Sequence, residues 1–164
     1  MINRGSLSPT QQKVIIALVA VFLWIGFLGA ISFMEAWLKF RAPGVTVALG
    51  LGIGKLVFYA LNKMEWIFAA AIMLNILLYK NKVVNRNMLF LIIPVILLIV
   101  QTAWMLPALD ARADAHIAGN IPAASNLHLY YIGAEVLKLI CLLFFGITLF
   151  ERNYGTGTNH STDH

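Results

Sequence analysis

Four side chains that could bind ions or exchange protons lie on one stripe of the last apolar segment. His128, Tyr131, Glu135 and Lys138 are separated by three, four and three residues, so an α-helix places them on one face. A charge inside a membrane costs roughly 2.5–3.5 kcal/mol on insertion scales, and intramembrane charges mark functional sites by default. The stripe therefore predicts a functional site within a membrane-spanning helix.

The composition places this stripe in a membrane protein. Of the 164 residues, 60% are hydrophobic and only 12% are charged, whereas a soluble domain has about 25% charged residues. The net charge of +5 does not indicate nucleic acid, because the basic residues lie in short segments between apolar spans. The partner that we expect is the lipid bilayer, and a homo-oligomer or a larger membrane complex stays open. The single cysteine, Cys141, is interpreted as a small buried residue.

Hydrophobic segments predict an all-α fold, an integral membrane four-helix bundle with an additional interfacial or re-entrant amphipathic helix. We expect one transmembrane domain over residues 1–152, with spans at about 14–38, 62–80, 88–109 and 127–150, and a disordered tail at 153–164. The amphipathic helix is predicted at about 45–62, because Lys55, Tyr59 and Asn62 share one face. No Gly or Pro near Lys63 marks a hairpin before the next span.

The distribution of basic residues predicts the orientation in the cell (inner) membrane. The short loop at 81–87 contains Lys82 and Arg86, whereas the longer loop at 110–126 mixes Arg112 with Asp110 and Asp114. Short basic loops stay in the cytoplasm, so we expect both termini to be cytoplasmic.

This topology brings polar side chains from all four spans to the outer half of the membrane. In an antiparallel bundle with short loops they could converge in one cluster. The candidate polar-cluster or substrate-binding residues are Glu35, Lys39, Lys55, Glu65, Gln101, Asp110, Arg112, His128, Tyr131, Glu135 and Lys138. Two interpretations stay open: a structural ion-pair network that fixes helix register, or a pocket for a small polar solute, an ion or a metal.

Other motifs give weaker signals. The histidines have no metal-like or bis-histidine haem spacing, so the metal assignment is left unknown and no cofactor is expected. Gly50, Gly52 and Gly54 lack the strand-to-helix context of a nucleotide loop, and close helix packing explains them better. No catalytic residues can be recognised in the sequence, so an enzyme is the less favoured interpretation.

A series of short motifs runs along residues 14–150. They are Trp24-Ile25-Gly26, Ser32-Phe33, Phe40, the Gly-rich stretch with Val57-Phe58, Glu65, Pro107 with Arg112, and Ser125 with His128. Their order resembles a bacterial family of uncharacterised four-span membrane proteins related to eukaryotic transmembrane protein 205, and more loosely copper-resistance-D-like bundles. The resemblance implies a four-helix membrane bundle with a link to metal or solute tolerance, and it supplies no catalytic residues.

Three functions follow as hypotheses. The first is a carrier or permeation component for a small solute, ion or metal, with its polar site in the outer half of the membrane. The second is a non-transporting accessory or assembly subunit of a membrane complex, whose charges only hold helices together. The third is a membrane redox or enzyme subunit.

Overall fold

The computed structural model describes residues 9–79, 88–120 and 122–154, and within these ranges the fold is all-α. Four helices are long and apolar enough to cross a membrane: Val14–Arg41, Val47–Leu78, Leu89–Ile117 and Leu127–Glu151. The predicted four-helix architecture is therefore confirmed. Large apolar side chains cover its outer surface, with Leu56 74% exposed and Leu77 68% exposed.

Two of the four helices change their winding along their length. Helix α1 covers residues 9–41 and contains Pro9–Leu28 (α), Gly29–Glu35 (π), Ala36–Leu38 (α) and Lys39–Arg41 (3-10). Helix α3 covers residues 89–117 and contains Leu89–Val100 (α), Gln101–Met105 (π) and Leu106–Ile117 (α). Helices α2 (Val47–Tyr79) and α4 (Leu127–Tyr154) are α-helical throughout.

The separate amphipathic helix predicted at about 45–62 is not present as such. Val47–Tyr79 is one continuous helix of 33 residues, so this segment is the first half of α2. The polar face that suggested an interfacial helix points partly into the bundle instead. Lys55 pairs with Asp114 of α3, and Asn62 donates a hydrogen bond to Thr102 of α3 at 2.9 Å. Because side chains of α3 satisfy these polar groups, the segment does not need to form a separate helix at the membrane interface.

Two boundaries also differ from the sequence prediction. The third helix continues to Ile117, so about half of the segment 110–126 that was expected to be a loop is helical. The last helix continues to Tyr154, two residues into the predicted tail. The rest of that tail and the basic loop at 81–87 lie outside the described residues.

The helices form an antiparallel bundle in which each packs against two neighbours. Helix α1 contacts α2 and α4, and α3 completes the ring by contacting α4 with its first half and α2 with its second half. Fully buried side chains at the centre include Trp24, Leu61, Ile72, Leu142 and Phe145. This arrangement brings the end of α1, the start of α2, the end of α3 and the start of α4 to one end of the bundle.

Glycines allow the close approach of α1 and α2 at that end. A Cβ on Gly50 would overlap the ring of Phe40, and a Cβ on Gly54 would lie 2.9 Å from Lys39 Nζ. The interpretation of the glycine-rich stretch as a close-packing surface is confirmed at these two positions. A Cβ on Gly52 would meet no neighbouring group within 4 Å, so Gly52 does not take part in this packing.

Candidate functional site

Polar side chains from all four helices meet in a cluster in the interior of the bundle. We call it the buried cluster, and it comprises Trp24 and Ser32 of α1, Glu65 of α2, Gln101 of α3, and Glu135 and Lys138 of α4. Each of the three charged members is at most 1% exposed. Charges this deeply buried are tolerated only when they are paired and hydrogen-bonded.

Lys138 is the only basic side chain of the buried cluster, and it contacts both carboxylates. Its Nζ pairs with Glu65 Oε1 and lies 2.9 Å from Glu135 Oε1. Glu135 and Lys138 come from adjacent positions on one helix face, i and i+3, whereas Glu65 reaches Lys138 across the bundle from α2. With all three groups ionised, the cluster carries one unbalanced negative charge.

The two carboxylates receive very different sets of hydrogen bonds. Both oxygens of Glu135 are satisfied: Ser32 donates to Oε2 at 2.9 Å, and Gln101 donates to Oε1 at 2.7 Å. Glu65 accepts at Oε1 only, from Lys138 and from Trp24 Nε1 at 3.0 Å. Glu65 Oε2 is buried and has no hydrogen-bond partner among the described residues, and the same holds for Gln101 Oε1.

The π-helical segments of α1 and α3 supply the two neutral partners of Glu135. Ser32 lies within Gly29–Glu35, and Gln101 opens the π-helical segment Gln101–Met105. A π-helical turn inserts an extra residue and rotates the following side chains, and such turns are frequent at functional sites. Here both segments place a polar side chain against the same carboxylate.

A larger space opens toward the end of the bundle where the four helix ends meet. We call it the end cavity, and it has a volume of about 410 Å³. Most of its lining is apolar, and it includes Phe40, Leu51, Phe58, Leu106 and Leu109. Ligand pockets for small molecules usually have volumes of about 300–1,000 Å³ and a mostly apolar lining with a few polar groups.

The polar part of the end cavity is mainly basic. Its lining includes the side chains of Lys39, Lys55, Asp110, Arg112, His116 and His128. Lys39 pairs with Glu35 at 3.3 Å, and its ammonium lies 5.4 Å from the centre of the Phe58 ring. Lys55 pairs with Asp114, and Arg112 donates to the backbone carbonyl of Ala123. The cations at the cavity wall are thus held in place by partners around them.

A small void separates the end cavity from the buried cluster. Its volume is about 20 Å³, which is enough for one water molecule. Four residues line both spaces: Ala36, Phe58, His128 and Tyr131. The small void also reaches Ser32 and Glu135. Tyr131 is buried, with its ring packed edge-on against Phe58 at 5.5 Å between centroids. These shared residues form the partition between the two spaces.

The structure thus divides the predicted polar cluster into two layers. Glu65, Gln101, Glu135 and Lys138 are in the buried cluster, whereas Lys39, Lys55, Asp110, Arg112 and His128 line the end cavity. Tyr131 lies between the layers, and Glu35 is the ion-pair partner of Lys39. Sequence reasoning identified all eleven as polar groups of one end, but it did not separate the two layers.

Two members of the site were missed from the sequence. Trp24 was not among the candidate site residues, but it is fully buried and donates to Glu65. His116 was assigned to a loop, whereas it lies on α3 and lines the end cavity. The sequence signal that could have placed Trp24 is its position within the uncharged run of α1, away from either end of the span.

Metal binding receives no geometric support from the described part of the chain. No group of three or more His, Cys, Asp or Glu side chains that could hold a metal ion is found there. His160 and His164 lie outside the described residues.

Comparison with known proteins gives no relative from which a function could be transferred. No protein-family model matches the chain, and no curated protein or solved structure matches it significantly.

Proposed function

We propose that this chain is a multi-pass membrane carrier, or a permeation component, for a small organic solute that enters the end cavity. The main observation behind the proposal is that an end cavity of about 410 Å³, with both apolar and charged side chains in its wall, lies directly next to the buried charged cluster. A structural ion-pair network alone needs no cavity. Ionisable residues within transmembrane segments mark substrate and ion pathways, and here they lie directly behind a solute-sized cavity.

The lining favours an amphipathic solute with an anionic head and an apolar body. Lys39, Lys55 and Arg112 face the cavity together with one carboxylate, Asp110, and the remaining wall is largely aliphatic and aromatic. The carboxylates that pair with the two lysines, Glu35 and Asp114, are not part of this wall, so the cavity itself presents mainly cations. A carboxylate head group could bind beside the lysines while its hydrocarbon part contacts Phe58 and other apolar side chains of the wall. We therefore propose small monocarboxylates as the first solutes to test.

The position of the buried cluster supports a role within the permeation path. Lys138 lies ~17 Å along α4 from Leu127 at 1.5 Å per residue, and a bilayer core is about 30 Å thick. If α4 spans the bilayer, Lys138 lies near the middle of the hydrocarbon. We place the end cavity toward the outer face of the inner membrane, with both termini cytoplasmic, because the loop at 81–87 is short and basic.

A cavity-filling variant tests the solute site. Gly54 lines the end cavity, whereas Gly52, two residues away on the same helix, does not. Native mass spectrometry of protein incubated with benzoate should show a bound adduct in the unmodified chain and in Gly52→Leu, and none in Gly54→Leu. Equal adduct formation in both variants, or none in the unmodified chain across several monocarboxylates, would contradict this site.

One observation favours the accessory or assembly subunit as a second candidate. The buried cluster connects all four helices, and a scaffold role would explain it without any solute. A scaffold subunit should co-purify in fixed stoichiometry with a partner after mild detergent extraction, and it should give no solute adduct. A chain that is isolated alone and binds benzoate through the Gly54 side of α2 would exclude this candidate.

A further inference from the structure

We propose that the buried cluster is a proton-binding site, with Glu65 Oε2 as the atom that holds the proton and Glu135 as the ionised partner of Lys138. The proposal deepens the proposed function, because a proton-binding site on the permeation path would make the carrier proton-coupled. In that respect it rests on the proposed function. Its evidence, however, lies in the buried cluster alone and does not require that any solute be transported.

The charges of the buried cluster do not balance when all of its ionisable groups are charged. Two carboxylates and one ammonium, each at most 1% exposed, leave one negative charge without a partner inside the cluster. An isolated buried charge is strongly disfavoured, and a carboxyl group in that position takes up a proton instead. One proton makes the cluster neutral.

The hydrogen bonds of the two carboxyl groups indicate which of them holds the proton. Glu135 accepts from Ser32, Gln101 and Lys138 through both of its oxygens, which is the pattern of an ionised carboxylate. Among the described residues, Glu65 accepts twice at Oε1 and not at all at Oε2. Both donors thus face Oε1, as they would face the carbonyl oxygen of a carboxylic acid, and Oε2, which no donor approaches, is the oxygen free to carry the hydrogen.

The surroundings of Glu65 contain no alternative neutralising group within the part of the chain that the structure describes. The titratable side chains around it are Glu135, Lys138 and Tyr131, all from α4. Helix α1 presents Trp24 and Ser32 to the cluster, and α3 presents a glutamine, none of which carries a charge. The proton is therefore the simplest cation that completes the cluster.

Polar groups on the side of the end cavity offer a route for the proton as far as Glu135. The void of about 20 Å³ reaches Ser32 and Glu135 and is bordered by His128 and Tyr131, which also face the end cavity. One water there, the Ser32 hydroxyl and the Glu135 carboxylate can relay a proton between cavity and cluster. Binding transfers a proton from water to a Glu65 oxygen, and release returns it to water.

Infrared spectroscopy of the purified protein tests the proposal directly, because a protonated carboxyl group has a carbonyl band distinct from carboxylate bands. The unmodified chain at neutral pH should show one such band from a buried acid, and Glu65→Gln should lose it. Glu35→Gln is the matched control, since Glu35 is a paired carboxylate outside the cluster, and it should retain the band. Absence of the band from the unmodified chain would overturn the proposal.

Stability assigns the proton between the two carboxyl groups. Glu135→Gln should also remove the band, because Lys138 then pairs with an ionised Glu65. Glu65→Gln replaces a neutral acid by a neutral amide and should leave the unfolding midpoint close to that of the unmodified chain. Glu135→Gln should lower the midpoint, because the amide cannot accept from both Ser32 and Gln101 as the two carboxylate oxygens do. The reverse order, or equal losses, would overturn the assignment to Glu65. Neither readout involves solute, so a failed flux assay with an intact band would refute only the carrier.

Discussion

Replacement of Lys138 by methionine should be among the most destabilising single changes in this chain. Lys138 is fully buried and is, among the described residues, the only cation that pairs with Glu65 and Glu135. Removing one partner of a buried ion pair typically costs about 3–5 kcal/mol, because the remaining charge is left uncompensated. For a chain of this size that loss corresponds to a decrease of roughly 6–20 °C in the unfolding midpoint.

The second substitution that rescues Lys138→Met distinguishes the two carboxyl groups. If Glu135 is the ionised partner, Glu135→Gln in the Lys138→Met background removes the orphaned charge and should recover most of the loss. Glu65→Gln in the same background should recover little, since Glu135 would still lack its cation and would have to take up a proton to avoid an unpaired buried charge. Thermal unfolding in one detergent, followed by loss of monodisperse protein, compares the unmodified chain, the single variant and the two double variants. Rescue by Glu65→Gln and not by Glu135→Gln would refute our assignment of charge.

Three further outcomes follow from the structure. In a Cys141→Ala background, an impermeant thiol reagent added to cells should label a cysteine at Ala118 and not one at Asn85, and the opposite pattern would invert the orientation. Gly50→Ala should destabilise the protein by about 1–3 kcal/mol through overlap with the Phe40 ring, whereas Gly52→Ala should not, as thermal unfolding would show. Thr102→Val should cost about 1–3 kcal/mol, because Thr102 Oγ1 accepts hydrogen bonds from Asn62 and Trp66 at 2.9 and 3.0 Å, and an unchanged midpoint would contradict this.

The hydrophobic pattern was sufficient to predict that four helices of span length form, but not the extent of the second helix, and it also predicted the end of the bundle that carries the polar groups. Apolar segments of span length define the helices, the first and third of them with a long uncharged run, and alternating direction then assigns each polar residue to one end. The stripe containing Glu135 and Lys138 predicted the buried charges because helical spacing alone places them on one face.

Features that depend on contacts between helices were not accessible from the sequence. Asn62 and Lys55 suggested an amphipathic surface helix, and only their partners on α3 show that this face points partly into the bundle. The π-helical turns that aim Ser32 and Gln101 at Glu135 have no recognisable sequence signature. The separation into a buried cluster and an end cavity likewise depends on packing, with the partition between them formed by side chains from three different helices.

Solute flux through the purified chain alone tests the carrier proposal most directly. The protein would be reconstituted into liposomes, and uptake of radiolabelled benzoate would be compared between the unmodified chain, Gly52→Leu and Gly54→Leu. We predict saturable uptake by the unmodified chain and by Gly52→Leu, and uptake at the level of empty liposomes by Gly54→Leu, whose added side chain occupies the end cavity. Folded, correctly inserted protein that gives no flux of benzoate or other small monocarboxylates above empty liposomes would contradict the proposal.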